Sequence, residues 1–220
     1  MIFDSICPLM KEDALKLPKD INVKVYMRHS IRFDDPVDGD YSNLLLTPEG
    51  IAIANRIGEN LDVPIGRIYA SPVQRCVQTA TEIARGAGIT EPGIERVEAF
   101  AAIKGLRHAQ EDLGIGWYQF YYGLQRDLPE YTGGVSLDEV ALPIIDAVFS
   151  VPATEGKLDL ICSHDGHVVI LASELFDLRT GIKGENWCGF TEGIFFCGTR
   201  DDFTAYWRGE EKRFKNWKIG

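Results

Sequence analysis

Three short apolar segments, each followed by a polar turn and the start of a helix, constrain the fold of this chain most. The segments are residues 21–27, 67–70 and 157–162, and their aliphatic and β-branched side chains predict β-strands. Strands that alternate with helices favour parallel pairing through helical crossovers. The pattern therefore predicts an α/β fold, a three-layer α/β/α sandwich with a mostly parallel central sheet. Residues 193–197 and 203–207 further predict a β-hairpin near the end of the chain.

Two of the predicted helices begin with a hydroxyl residue followed by a proline. Thr47 with Pro48, and Ser71 with Pro72, each combine a side-chain oxygen that can cap backbone N–H groups with a residue suited to the first helical position. Apolar residues at helical spacing follow both pairs. The second helix is expected to carry Arg75 in its first turn, where the helix dipole attracts anions.

Composition limits the classes of protein and of partner. The chain has 220 residues and no internal repeat or linker-like segment, so residues 1–220 are expected to form a single domain. Asp and Glu number 33 against 23 Lys and Arg, a net charge of −10, which argues against nucleic-acid partners. No apolar run approaches the ~18 residues of a membrane span, so no membrane partner is expected. Five widely spaced cysteines without a C-x-x-C pair are typical of reduced thiols in a cytoplasmic protein.

The three strand ends bring cationic and imidazole side chains to one edge of the predicted sheet. In folds of this kind, ligands bind at the carboxyl ends of the strands. The side chains concerned are Arg28, His29 and Arg32 after the first strand, Arg75 after the second, and His164 with Asp165 after the third. Such a cluster in an acidic protein predicts a local pocket for a phosphate group, which guanidinium groups bind through paired charged hydrogen bonds.

These turns resemble the motifs of the histidine phosphatase superfamily, which has the phosphoglycerate mutase-like fold. Residues 28–30 (RHS) are similar to the Arg-His-Gly motif, with Ser30 in place of glycine, and residues 46–50 (LTPEG) to the Leu-Thr-x-x-Gly helix start. Residues 71–80 match the Ser-x-x-x-Arg-x-x-x-Thr-Ala segment, and residues 163–165 (SHD) resemble the second histidine motif. Four motifs in this order make the resemblance specific.

The resemblance implies a phosphatase that hydrolyses a small phosphate ester through a phosphohistidine intermediate. In that mechanism His29 attacks phosphorus, while Arg28, Arg32, Arg75 and His164 bind the oxygens of the phosphoryl group. Because the arginines neutralise the charge that a metal offsets in other phosphoryl-transfer sites, neither a metal ion nor another cofactor is expected.

The proton donor stays open between two carboxyl groups. Asp165 follows the second histidine, as in the acid phosphatase and phytase branch of the family, whereas Glu98 is the candidate typical of the shorter, mutase-like branch. We expect Asp165 to be the donor because it is adjacent to His164 at the mouth of the third strand. Its carboxyl must be protonated when the substrate binds, and neighbouring arginines oppose this, which favours an acidic pH optimum.

Other interpretations of the same residues stay open. A phosphoglycerate mutase-type phosphotransferase would use the same phosphohistidine, and a catalytically silent phosphate-binding protein would owe its inactivity to Ser30. His164, Asp165 and His167 also have the composition of a metal cluster.

Substrate choice is expected to depend on two segments, residues 28–43 and an inserted cap region at residues 99–134. The cap contains an aromatic run (WYQFYY) that would suit a substrate cage. Trp117, Phe120 and Tyr121 fall at helical spacing, however, so packing in the core is the favoured interpretation.

Overall fold

The computed structural model of the chain describes residues 8–18, 22–35, 41, 43–101 and 104–218. The helices and strands of these residues are, in chain order, α1 (Pro8–Lys16), β1 (Val23–Arg28), α2 (Pro48–Glu59), β2 (Ile65–Ala70), α3 (Gln74–Gly86), β3 (Ile94–Arg96), α4 (Lys104–Leu113), α5 (Trp117–Leu124), α6 (Pro129–Thr132), α7 (Leu137–Ser150), β4 (Leu158–Ser163), α8 (Asp165–Phe176), β5 (Gly193–Thr199), β6 (Asp202–Trp207) and β7 (Glu210–Lys215). A 3₁₀ turn, Glu98–Phe100, follows β3. None of these helices is long and apolar enough to cross a membrane.

The seven strands form one sheet in the order β3-β2-β4-β1-β5-β6-β7. Strands β1 to β4 are parallel, whereas β5, β6 and β7 each pair antiparallel with the preceding strand of that order. The sheet is mostly but not wholly parallel, and the predicted α/β fold is confirmed. Met27 of β1 and Ala70 of β2 both align with Cys162 of β4. These three strands therefore end at the same level, which brings the residues after them to one edge of the sheet.

Helices cover both faces of the sheet and give the predicted three layers. Successive residues of β1 belong to different core clusters, as the pleat of a strand requires. Tyr26 lies in the cluster formed with α7 and α8, while Val25 and Met27 lie in the cluster formed with α2 and α3. Helix α8 is buried along nearly its whole length.

The starts of two helices decide how the site is built. At α2 the prediction is confirmed, because the Thr47 side chain accepts a hydrogen bond of 3.0 Å from Gly50 N and a proline follows the cap. At α3 the predicted Ser71 cap is wrong. The helix begins at Gln74, and Ser71 Oγ lies 3.0 Å from His164 Nε2 instead. A side chain predicted to serve the helix is thus used at the edge of the sheet.

The predicted strands and the hairpin are confirmed with small shifts of their ends. The structure has, in addition, the strands β3 and β7 and the helices α1, α4, α6 and α7. Residue 21, the predicted start of the first strand, lies outside the described residues, as do residues 36–40 and 42 of the first predicted specificity segment. Helices α4, α5 and α6 fall within residues 99–134, of which 102 and 103 are not described.

Candidate active site

His29 follows β1, and its imidazole is buried at the carboxyl edge of the sheet. Its Nδ1 lies 2.8 Å from the backbone oxygen of Ser30, and Arg75 Nε donates a hydrogen bond of 3.0 Å to its Nε2. Because a guanidinium group only donates, Nε2 is the unprotonated nitrogen and Nδ1 carries the proton. Burial, and next the charge of Arg75, lower the pKa of His29 well below its usual value. The ring is therefore neutral, with its Nε2 lone pair directed at the arginine.

His164 lies beside His29 at the end of β4, with the ring centroids 5.9 Å apart. Its Nδ1 is 3.3 Å from Arg75 Nη2 and its Nε2 is 3.0 Å from Ser71 Oγ. Since a guanidinium group only donates, Nδ1 accepts from the arginine, and the Nε2 N–H donates to the serine. Arg75 Nη1 donates to the backbone oxygen of Tyr41 at 2.7 Å. One guanidinium group therefore contacts both imidazoles and the segment that follows β1.

Asp165 begins α8, and three groups orient its carboxylate. It accepts hydrogen bonds from Trp187 Nε1 (3.2 Å) and Gly166 N (2.9 Å) and lies 3.4 Å from Arg28 Nη2. Arg28 also donates to the backbone oxygen of Cys188 at 2.7 Å. Burial alone would raise the pKa of Asp165, but the Arg28 charge and the Trp187 N–H outweigh burial and hold this pKa below its usual value. The opposition of arginines expected from the sequence is thus present in the structure.

Serine at position 30 is accommodated without backbone strain. Ser30 has a negative φ, its N–H donates to Thr79 Oγ1 at 3.0 Å, and its hydroxyl donates to the backbone oxygen of Gly50 at 2.8 Å. Position 50 leaves no room for a side chain, since a Cβ atom there would lie 2.0 Å from the backbone oxygen of Ile31. The turn that carries His29 is therefore clamped onto the start of α2.

Arg32 and Glu98 take no part in these contacts within the described residues. Arg32 pairs with Asp34 at 2.8 Å, and its guanidinium carbon lies 5.0 Å from the centre of the Tyr41 ring. Glu98 is exposed in the 3₁₀ turn after β3. Ser163 Oγ attaches this turn to the end of β4 through a hydrogen bond of 2.8 Å to a backbone oxygen. The other predicted site residues thus lie together in one cluster, whereas Arg32 and Glu98 lie outside it.

His167 belongs to the core next to the cluster. Its Nδ1 is 2.6 Å from Tyr26 Oη, and the Tyr26 hydroxyl donates its proton to Ser163 Oγ at 2.8 Å. Burial lowers the pKa of His167 from 6.5 to about 3, so the ring is neutral. Across the residues that the structure describes, no group of three or more His, Cys, Asp or Glu side chains is placed to hold a metal ion.

Sequence reasoning missed the residues that orient the cluster. They are Ser71, Thr79, Trp187 and Cys188. Thr79 is part of the 71–80 motif, which could have indicated it. Nothing in the local sequence points to Trp187, which lies 22 residues after the carboxylate that it contacts.

Comparisons with known structures and sequences agree with this architecture. The glucosyl-3-phosphoglycerate phosphatase of a mycobacterium is 18% identical and superposes with a TM-score of 0.52, covering 86% of this chain and 99% of its own. A second structure, mycobacterial hydrolase 2, is 17% identical with a TM-score of 0.51 and coverages of 91% and 93%. Phosphoserine phosphatase from Entamoeba histolytica, in complex with 3-phosphoglyceric acid, is 19% identical with a TM-score of 0.50 and coverages of 79% and 89%. At such identities the likeness shows the fold alone.

Sequence comparison supplies the family. No curated protein sequence matches this chain significantly. The sequence profile of the histidine phosphatase superfamily (branch 1) matches residues 38–182, which include Arg75 and His164 but begin after His29. Because this match spans more than half of the chain, the protein belongs to the histidine phosphatase superfamily, branch 1.

Proposed function

We propose that this chain hydrolyses phosphate monoesters through a phosphohistidine formed at His29 Nε2. The observation that carries the proposal is the neutral His29 ring, whose Nε2 lone pair faces the Arg75 guanidinium at 3.0 Å. A nucleophile next to a cation is suited to an anionic phosphoryl group, because the cation binds the group at the reacting nitrogen. The backbone oxygen of Ser30 holds the ring in this orientation through Nδ1.

The reaction has two steps. In the first, His29 Nε2 bonds to phosphorus, and the ester oxygen leaves with the bonding electron pair and takes a proton from Asp165. In the second, water attacks phosphorus while Asp165 accepts the water proton, and the P–N bond breaks with its electron pair returning to His29. The products are the free alcohol, inorganic phosphate and the regenerated neutral imidazole.

The cluster offers enough donors for the oxygens of the phosphoryl group. Arg75 contacts both imidazoles, so it lies beside the His29 nitrogen that would bond to phosphorus. We assign Arg28 and His164 to the same group of oxygens, and Arg32 to the rim next to Tyr41. When phosphorus takes the place next to His29 Nε2, Arg75 Nε gives up its hydrogen bond to that nitrogen, and the guanidinium groups stabilise the charge of the transition state.

Asp165 is our assignment for the proton donor. It belongs to the cluster and is oriented by Trp187 and Arg28, whereas Glu98 is exposed in the turn after β3. Arg28 keeps the pKa of Asp165 low, and the negative charge of a phosphate ester nearby would raise it. An acidic pH optimum follows, because only the protonated carboxyl can donate.

We propose a small phosphate ester as the substrate and hydrolysis as the reaction. Proteins that share the fold include phosphatases named for phosphoserine and for glucosyl-3-phosphoglycerate. Residues 99–134 would form the cap over the site. The four described cysteines are all free thiols, which fits a reducing compartment such as the cytoplasm.

Acid-labile labelling tests the proposal. The protein is mixed with a ³²P-labelled aryl phosphate, quenched in base, and the phosphohistidine is located by peptide mass spectrometry. We expect label on His29, none in His29→Ala, and label retained in His167→Gln, the matched control for a buried histidine outside the cluster. A metal chelator should leave turnover unchanged, because the arginines supply the positive charge.

Four results would contradict the proposal. Label on His164 would show that His164, and not His29, is the nucleophile. A phosphoenzyme that is stable in water but transfers its phosphoryl group to a second alcohol would show that the protein is a mutase. Saturable phosphate binding without any label would make it a silent binding protein. Activity lost in chelator and restored by a divalent ion would overturn the metal-free mechanism.

A further inference from the structure

Five aromatic rings line one side of the candidate active site. We name them the aromatic wall: Trp117, Tyr118 and Tyr121 of α5, together with Trp187 and Phe190 of the segment before β5. Ring centroids are 4.8 Å apart for Trp117 and Tyr121, 5.1 Å for Tyr121 and Trp187, and 4.9 Å for Tyr118 and Trp187. Helical spacing predicted core packing for Trp117, Phe120 and Tyr121, and this is confirmed, since Phe120 and Tyr121 lie in the core cluster and Trp117 packs against it.

The aromatic wall touches the groups that would act on the leaving alcohol. Trp187 Nε1 donates to Asp165, the proposed proton donor, at 3.2 Å. Phe190 lies 3.9 Å from the Arg28 guanidinium carbon and its ring centre is 6.1 Å from that of His29. The wall is therefore on the Asp165 side of the phosphate position, where the ester oxygen and the remainder of the substrate would lie.

Tyr121 forms the inner part of the wall. It is only 2% exposed and belongs to the core cluster formed with α7 and α8. Its hydroxyl oxygen lies over the start of α8, since a Cβ atom on Gly166 would be 2.0 Å from it. Burial, and next the charge of Asp165, raise the pKa of Tyr121 well above its usual value, so the hydroxyl keeps its proton.

Part of the wall remains accessible. Tyr118 is 42% exposed, and Trp117, Trp187 and Phe190 are each partly buried. A concave site that combines apolar rings with a few convergent polar groups is the usual design for binding the organic part of a ligand. Resting on the proposed function, we infer that the substrate's alcohol carries an aromatic or similarly flat apolar group, which lies against the aromatic wall.

The cation that contacts Phe190 supports this class over a carboxylated alcohol. Arg28 already contacts the Asp165 carboxylate, the backbone oxygen of Cys188 and the face of Phe190. A substrate carboxylate next to Phe190 would compete with Asp165 for this guanidinium. An apolar group avoids this competition, and its contact with the rings removes their surface from water.

Two esters with equally poor leaving groups test the inference. In 2-phenylethyl phosphate and ethyl phosphate the reacting oxygen belongs to a primary alkanol, so a difference in rate reports binding of the ring. We expect kcat/KM to be about tenfold or more higher for the phenylethyl ester, the range that one apolar group in a hydrophobic pocket supplies. A ratio near one, with both esters hydrolysed, would overturn the inference and leave the proposed function intact.

Two single-residue variants test whether the preference for the phenylethyl ester depends on the aromatic wall. Tyr118→Ala removes an exposed ring of the wall and should lower the ratio of the two kcat/KM values severalfold. Tyr122→Ala is the matched control, because this tyrosine of α5 packs against Tyr131 and Arg126 and is not part of the wall. An unchanged ratio in Tyr118→Ala, or an equal loss in Tyr122→Ala, would contradict the assignment to the wall.

Phosphonates separate this inference from the proposed hydrolysis. Binding of 2-phenylethylphosphonate and ethylphosphonate, which cannot be hydrolysed, is measured by calorimetry with the wild-type protein. If the phenylethyl compound binds more tightly but neither ester is hydrolysed, the proposed hydrolysis is wrong, whereas the inferred binding of an apolar group at the wall stands. Equal affinities for the two phosphonates would contradict the inferred binding of an apolar group at the wall, whether or not the esters are hydrolysed.

Discussion

Replacing Gly50 by alanine tests how closely helix α2 is held against the turn that carries His29. A Cβ atom at position 50 would lie 2.0 Å from the backbone oxygen of Ile31, and all three of its nearest atoms are backbone atoms of that residue. An ordinary contact is about 3.5 Å, so the helix and the turn must separate by about 1.5 Å. No flexible side chain is available to move instead.

Two hydrogen bonds span the gap that would open. Ser30 Oγ donates to Gly50 O at 2.8 Å, and Thr47 N donates to Ile31 O at 3.0 Å. Losing them costs about 1 kcal/mol each, and forcing a methyl group into a packed contact costs about 1–3 kcal/mol. Alanine returns up to about 1 kcal/mol through its higher helix propensity. The free energy of unfolding should therefore fall by about 2–4 kcal/mol.

Denaturant unfolding and turnover are the two assays. A displacement of about 1 Å at the nucleophile also predicts about 10²-fold slower hydrolysis by the protein that remains folded. Gly93→Ala is the matched control, because no atom lies within 4 Å of a Cβ at that position. If Gly50→Ala unfolds within about 0.5 kcal/mol of the control and hydrolyses esters at the same rate, the clamp between α2 and the turn does not exist as described.

Two further predictions concern titrating groups. Asp165→Asn should slow hydrolysis of alkyl phosphates by about 10²–10⁴-fold and affect aryl phosphates much less, since only poor leaving groups need the proton; the same pattern in Glu98→Gln alone would transfer the role. Burial lowers the pKa of His167 from 6.5 to about 3, so the unfolded state takes up a proton as the pH falls below 6.5 and native stability is lost. Denaturant unfolding at pH 7 and pH 5 should show wild type losing about 2 kcal/mol more than His167→Gln; equal losses would refute the buried neutral ring.

The sequence predicted best where local pattern and chemistry coincide. β1 and β4 end directly at His29 and His164, so strand prediction alone brings these residues to one edge. Ser71 shows the limit of local reasoning, because the same hydroxyl can cap a helix or contact an imidazole, and only the pairing of β2 with β4 decides. Helical spacing divides the aromatic run into two faces, but the local sequence does not show which face lies near Asp165. That depends on Trp187, which contacts Asp165 from a distant segment.

Three of the elements that were not predicted, β3, β7 and α7, have sequence patterns that are weak or obscured. β3 has three residues, too few for alternation to be visible, and β7 (EEKRFK) is dominated by charge. α7 does carry a start signal, since Ser136 accepts from Glu139 N while the Glu139 carboxylate accepts from Ser136 N. Its interior proline, Pro143, obscures the helical pattern.

The two outer strands of the sheet decide how the protein behaves at high concentration. Exposed backbone donors and acceptors of an edge strand invite pairing with a second molecule. On one side this edge is β3, which ends after three residues in the Glu98 turn. On the other it is β7, where Arg213 and Lys215 are paired with Asp202 of β6 and five of six residues are charged. A second molecule that paired with β3 could form few backbone hydrogen bonds, and one that paired with β7 would remove its charged side chains from water. The fold therefore resists the formation of β-sheets shared between molecules.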